Sequence, residues 1–175
     1  MAIVEPTSSS PKDDLSRPFS GRTLARQRAV EVLYSADLRG KGIPEAVETW
    51  LTNARGNLEQ HRPANESESV RRVRAREQLD ALDSYQYART IAVGVDEHLQ
   101  TIDELISSFA NGWTIERMPR VDVAILRVGA WELLYNDEVP APVAISEAGK
   151  LAAELSTADS SRFINGVLNG VAAGA

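Results

Sequence analysis

Cysteine is absent from the chain, and histidine occurs only twice. Without thiols there is neither a disulfide framework nor a thiolate that could ligate a metal or attack a substrate. His61 and His98 lie far apart, and neither has companions at the spacing of a metal site. No phosphate-cradling loop of the form GxxxxGK followed by Ser or Thr occurs. Acid pairs such as Asp103 with Glu104 and Asp137 with Glu138 fall on polar faces or turns, where carboxylates are solvated charges rather than general acids. No nucleophile is spaced beside a base. No apolar run approaches the roughly 20 residues of a membrane helix, and the Pro- and Ser-rich first 20 residues lack the apolar core of a secretory signal. These absences argue against an enzyme, a bound metal, an organic cofactor and a membrane protein, and they permit a cytoplasmic address.

What is present is an average globular balance, with 43% hydrophobic and 25% charged residues over 175 positions, enough for one domain. The net charge of -6 runs against nucleic-acid binding, which needs Lys and Arg to meet phosphate. Local distribution differs from this average. Between Arg17 and Arg28 stand four arginines (Arg17, Arg22, Arg26, Arg28) and no acid. A second run, Arg71, Arg72, Arg74 and Arg76, is surrounded by acids and reads as a solvated mixed-charge stretch.

Apolar spacing predicts helices and no strand. Residues 1–19 read as a flexible tail. A first helix starts after Ser20 as N-cap and runs to about Leu38, with Gly40 and Gly42 ending it. Pro44 suits the first turn of a second, shorter helix. From about 54 to 78 apolar content collapses, predicting a flexible insertion with helix favoured towards its C-terminal end. Helical pattern resumes from Leu79 to Phe109, with Gly94 marking a bend or a close contact, and Asn111-Gly112 closes it. The stretch from Val121 to Tyr135 is apolar around nearly its whole circumference and reads as a central helix. On it Asp122, Arg127 and Glu132 are costly unless they pair internally, reach the rim or meet a partner protein. Pro140 and Pro142 prime a further helix. Thr157 to Ser161 then supply cap residues for a last one, carrying Ile164, Val167, Leu168 and Val171.

Two places have the chemistry to bind. Arg22 and Arg26, four residues apart, share one side of the first helix near its start. Positive charge there opposes the helix dipole at a cost of roughly 0.3–1 kcal/mol, a placement that makes sense if an anion meets both guanidinium and free backbone N–H groups. The last helix opens with Asp159, Arg162 and Phe163. An aromatic beside an arginine at a helix start can stack a single-stranded base while the arginine holds phosphate, although Phe163 also fits a core position. Tyr34 is similarly ambiguous.

Three segments carry a resemblance. Ala25-Arg26-Gln27-Arg28-Ala29-Val30-Glu31-Val32-Leu33-Tyr34-Ser35 resembles the opening helix of the NusB family. Asp122-Val123-Ala124-Ile125-Leu126-Arg127-Val128-Gly129-Ala130-Trp131-Glu132-Leu133 is similar to its central helix. Val139-Pro140, Ile145-Ser146-Glu147-Ala148 and Phe163-Ile164-Asn165-Gly166-Val167-Leu168 match its C-terminal part in order and spacing. The resemblance covers most of residues 20–53 and 79–172. It implies a compact all-α fold of about seven helices in two small bundles packed across each other, spanning residues 20–175. It further implies binding of the single-stranded boxA element of ribosomal RNA leaders jointly with NusE, a small-subunit ribosomal protein, within an RNA polymerase antitermination complex. By motif, Arg22, Arg26, Tyr34, Asp159, Arg162 and Phe163 fall on the RNA side, and Glu116 and Asp122 on the NusE side. Thr23 and Leu24 stand where some members carry more arginines, which dilutes the basic character. Monomer and homodimer are both left open.

Two other functions compete. A NusB-like domain also accompanies ribosomal RNA cytosine methyltransferases, but that enzyme needs a further α/β domain and a cysteine nucleophile. A purely protein-binding helical scaffold would leave the basic helix end without a role.

Overall fold

The computed structural model describes residues 21–60 and 67–174, with side chains left aside at 55 and 57–60. Among these residues it contains seven α-helices, one 3-10 turn and no strand. The helices are α1 (Gly21–Arg39), α2 (Ile43–Gln60), α3 (Glu68–Glu97), α4 (Leu99–Phe109), α5 (Arg120–Tyr135), α6 (Ala141–Leu155) and α7 (Ala158–Gly174); the 3-10 turn is Ile115–Arg117. The tail over 1–19 and the Ser20 cap lie outside the described residues. No helix among the described residues is long and apolar enough to cross a membrane.

α1, α2 and α3 pack mutually into one bundle, and α4 to α7 form the other. α5 joins them, touching α1 and α3 on one side and α4, α6 and α7 on the other. That position explains its nearly continuous apolar circumference: Val123, Ala124, Ile125, Leu126, Val128, Ala130 and Trp131 are all buried. Burying a large aliphatic side chain such as Ile125 or Leu126 contributes roughly 1.5–3 kcal/mol. The ends follow the expected local chemistry. α1 stops at Gly40, whose φ of 61° suits a residue without Cβ, and Pro142 stands in the first turn of α6.

Two boundaries differ from the sequence reading. The single helix expected from Leu79 to Phe109 is two: α3 ends at Glu97, and His98 caps both it and the start of α4. Gly94 makes a close contact rather than a bend. A Cβ there would sit 2.0 Å from Trp131 Nε1, so the glycine lets α3 lie against the indole. The apolar-poor stretch from 54 to 78 is also more regular than expected. α2 continues to Gln60, and α3 begins at Glu68 with the Ser67 hydroxyl accepting from Val70 N–H. Arg72 with Glu68 and Arg76 with Asp80, each four apart, support this otherwise exposed start of α3. Residues 61–66 of the stretch lie outside the described residues.

Candidate RNA interface

Three of the arginines of α1, Arg22, Arg26 and Arg28, have partners. Arg22 is exposed, with its guanidinium 4.0 Å above the Tyr87 ring and 3.9 Å from Glu138. Arg28 stacks 3.8 Å over Tyr85. Arg26 is placed otherwise than its spacing with Arg22 suggests: it is only 4% exposed. Its Nε donates to both carboxylate oxygens of Glu132 at 2.9 Å, and Nη1 reaches Glu147 at 3.4 Å. The reason is the helix turn itself. Four residues carry the side chain from the exposed start of α1 into the seam where α5 and α6 converge, so Arg26 is not presented to solvent beside Arg22.

Around this pair lies a closed set of hydrogen bonds. The Tyr87 hydroxyl donates to Glu132 at 2.5 Å and accepts from Asn136 at 3.0 Å. The Thr23 hydroxyl donates to Glu147, and Lys150 donates to the same carboxylate at 2.7 Å. Two cations thus face two carboxylates, which is the condition for holding charge away from water. For Arg26, burial disfavours the charge, but the Glu132 hydrogen bond and the surrounding anionic field outweigh it and raise its pKa. Burial, then the bond to Glu132, pushes the Tyr87 hydroxyl well above the usual phenol range. Burial works against the Glu147 charge as well, yet Lys150, Thr23 and Arg26 together hold its carboxyl below the usual value.

The other part of the site is built at the start of α7. Thr157 caps it, its hydroxyl accepting from Ser160 N–H at 3.1 Å, and the Ser161 hydroxyl ties it to the Gly149 carbonyl of α6 at 2.9 Å. Because Glu147 lies one half-turn before Gly149, α6 connects the buried network of α1 to the first turn of α7. Asp159 and Arg162 are exposed there. Phe163 is half-buried, packed against the core and 6.4 Å in ring-centroid distance from Trp113. Tyr34 is exposed on α1. The structure therefore gathers Arg22 and Arg26 at one end, and Asp159, Arg162 and Phe163 at another. No hydrogen bond, ion pair or ring contact joins Tyr34 to either group among the described residues.

The charges of α5 divide. Arg127 forms a two-pronged pair with Asp103 at 2.8 and 2.7 Å, and Glu132 pairs with Arg26. Asp122, expected on the NusE side, is only 3% exposed, and its Oδ1 has no hydrogen-bond partner among the described residues. It lies in the first turn of α5, so its exposure is restricted by the packing of that helix start. Glu116 is exposed on the 3-10 turn. Its carboxyl is held below the ordinary range by its own backbone N–H first and by Thr114 second.

Sequence reasoning missed Glu147, Tyr87 and Trp113. Glu147 had a signal: with Ala144, Ala148 and Leu151 it fills the i, i+3, i+4, i+7 stripe of α6, an apolar position that only a paired acid tolerates. Trp113, just beyond the Asn111-Gly112 turn, belongs to no periodic pattern.

Comparison with known proteins agrees with this architecture. The NusB family model matches residues 23–173. The transcription antitermination protein NusB of Clavibacter michiganensis is 45% identical over 155 residues, covering 89% of this chain and 98% of the relative. That of Leifsonia xyli is 46% identical over 154 residues, covering 88% and 92%. Among solved structures, a crystal structure of antitermination factors NusB and NusE in complex with dsRNA superimposes with a TM-score of 0.66 at 22% identity, covering 89% of this chain and 98% of that one. The solution structure of NusB from Aquifex aeolicus gives 0.62 at 24%, covering 87% and 88%; likeness at such identities speaks to the fold. With the family model matched from α1 to α7 and relatives this similar over nearly their full length, the chain belongs to the NusB family.

Proposed function

We propose that this chain is a transcription antitermination factor, a binding adaptor and not a catalyst, acting in the cytoplasm. It binds the single-stranded boxA element of ribosomal RNA leaders together with NusE and joins the RNA polymerase antitermination complex. The observation that carries this reading is the pairing of exposed Arg162 with half-buried Phe163 at the capped start of α7. Arg162 has no ion-pair partner among the described residues, so its guanidinium is available to phosphate. Phe163 is packed against the core but only half-buried, so it has ring surface to offer a base. Arg22, Tyr34 and Asp159 complete the RNA side. Arg26 serves it indirectly, by fixing α1 against α5 and α6 while its guanidinium remains with Glu132 and Glu147. Glu116 and Asp122 form the NusE side.

The test is a titration of labelled boxA-like RNA at several salt concentrations. Arg162→Ala should weaken binding and lower the salt slope by about one. Phe163→Leu should weaken binding with the slope unchanged. Affinities equal to wild type in both variants would reject this surface.

A further inference from the structure

Trp113 is the largest exposed aromatic side chain among the described residues, 51% accessible, in the turn between α4 and α5. A single exposed apolar side chain is ordinary on a protein surface; what sets this one apart is the chemistry around it. Three observations define that chemistry. Its ring is tilted 58° against Phe163 at 6.4 Å, so the two rings do not cover each other face to face. The Arg117 guanidinium stands 6.0 Å from the ring centroid, the outer limit of cation–π contact, so it is only loosely held. And whereas Arg22, Arg26 and Arg28 on α1 each have close partners, Arg117, near the Trp113 ring, and Arg162, next to Phe163 in sequence, form no ion pair among the described residues. The neighbouring acid Glu116 is turned back towards its own backbone N–H and Thr114.

We propose that Trp113 is a second stacking platform, on which an unpaired base of the bound strand lies next to the base on Phe163, with Arg117 holding the intervening phosphate. Two aromatic rings in contact, one with Arg117 near it and the other directly following Arg162 in sequence, match a single strand, whose bases need π-faces and whose backbone needs guanidinium donors. A protein partner would need acids placed against both arginines to do the same, whereas every nucleotide of a strand brings its own phosphate. This inference rests on the RNA-binding reading and extends its footprint from α7 to the turn that carries Glu116.

The test uses the full chain and a single-stranded boxA-like RNA without NusE. Trp131 is buried and Trp50 half-buried, so RNA should quench mainly the exposed Trp113 emission. Trp113→Leu should abolish that quenching and lower RNA affinity about ten-fold at unchanged salt slope, whereas Trp113→Phe should retain most of the affinity. Arg117→Gln should lower the salt slope by about one. Because Trp113 is exposed, denaturant midpoints of the variants should match wild type. Wild-type RNA affinity in Trp113→Leu overturns the proposal, including the case where only NusE binding falls and the indole belongs to the protein interface. Failure of the unsubstituted chain to bind RNA would instead remove the broader reading, and this one with it.

Discussion

Arg26 on α1 and Glu132 on α5, 106 positions apart in sequence, meet with the guanidinium Nε 2.9 Å from both carboxylate oxygens. This contact and the Glu147 carboxylate beside it lock the two bundles together through charge in an otherwise apolar seam. A buried pair of this kind gives little net stability over a hydrophobic contact, but breaking one side strands the other. Arg26→Ala is therefore expected to cost about 3–5 kcal/mol in urea unfolding. Arg26→Lys should also lose stability, since an ammonium cannot serve two carboxylates with a planar fork. An Arg26→Ala protein as stable as wild type would contradict the network.

Acidification should act through Glu147. Its folded pKa lies below the ordinary 4.5, so its charge stabilises the fold at pH values above the unfolded pKa. That contribution is lost as pH falls through the folded value. The wild-type denaturation midpoint is expected to drop as pH is lowered beneath about 4.5. Glu147→Gln should start less stable at neutral pH and change less on acidification. Parallel pH profiles for the two proteins would exclude Glu147 as a contributor.

Gly94→Ala separates packing from propensity by sign. Helix propensity alone predicts a gain of about 1 kcal/mol for alanine over glycine. The contact with Trp131, where a Cβ would lie 2.0 Å from Nε1, predicts instead a loss of about 1–3 kcal/mol from overpacking. Thermal unfolding with Trp131 emission as the second probe distinguishes them, and a stabilised variant would show that α3 does not press on the indole.

Asp122 is buried with one oxygen unsatisfied, so a lysine there would disturb α5 itself. Asp122→Asn keeps the shape and removes the charge. We expect near-wild-type unfolding but weaker NusE binding by calorimetry. Unchanged NusE affinity would assign Asp122 to the fold alone.

The helices were legible because their apolar stripes repeat with the helical period, and α5 stood out because its stripe closes on itself. Charge on that helix was readable as a problem, and Arg127 and Glu132 solve it internally. What spacing could not show was depth. Arg22 and Arg26 share one side of α1, yet one sits at the rim and the other beneath α6, a difference decided by residues more than 100 positions away. The break at His98 escaped notice because no proline or glycine marks it. Within the apolar-poor stretch the start of α3 looked irregular because a helix held by ion pairs and a cap, with few apolar contacts, leaves no hydrophobic period. Trp113 was invisible for the converse reason: a single aromatic in a turn acquires meaning only when Phe163 and Arg117 are brought beside it.

The central claim is joint recognition of RNA and a protein partner, and calorimetric titration of boxA-like RNA into the chain with and without NusE tests it most directly. If both ligands bind as proposed, NusE should tighten RNA binding, by roughly 5–150-fold, and RNA must tighten NusE binding by the same factor. RNA affinity that is identical with and without NusE, or absent in both, would contradict the account.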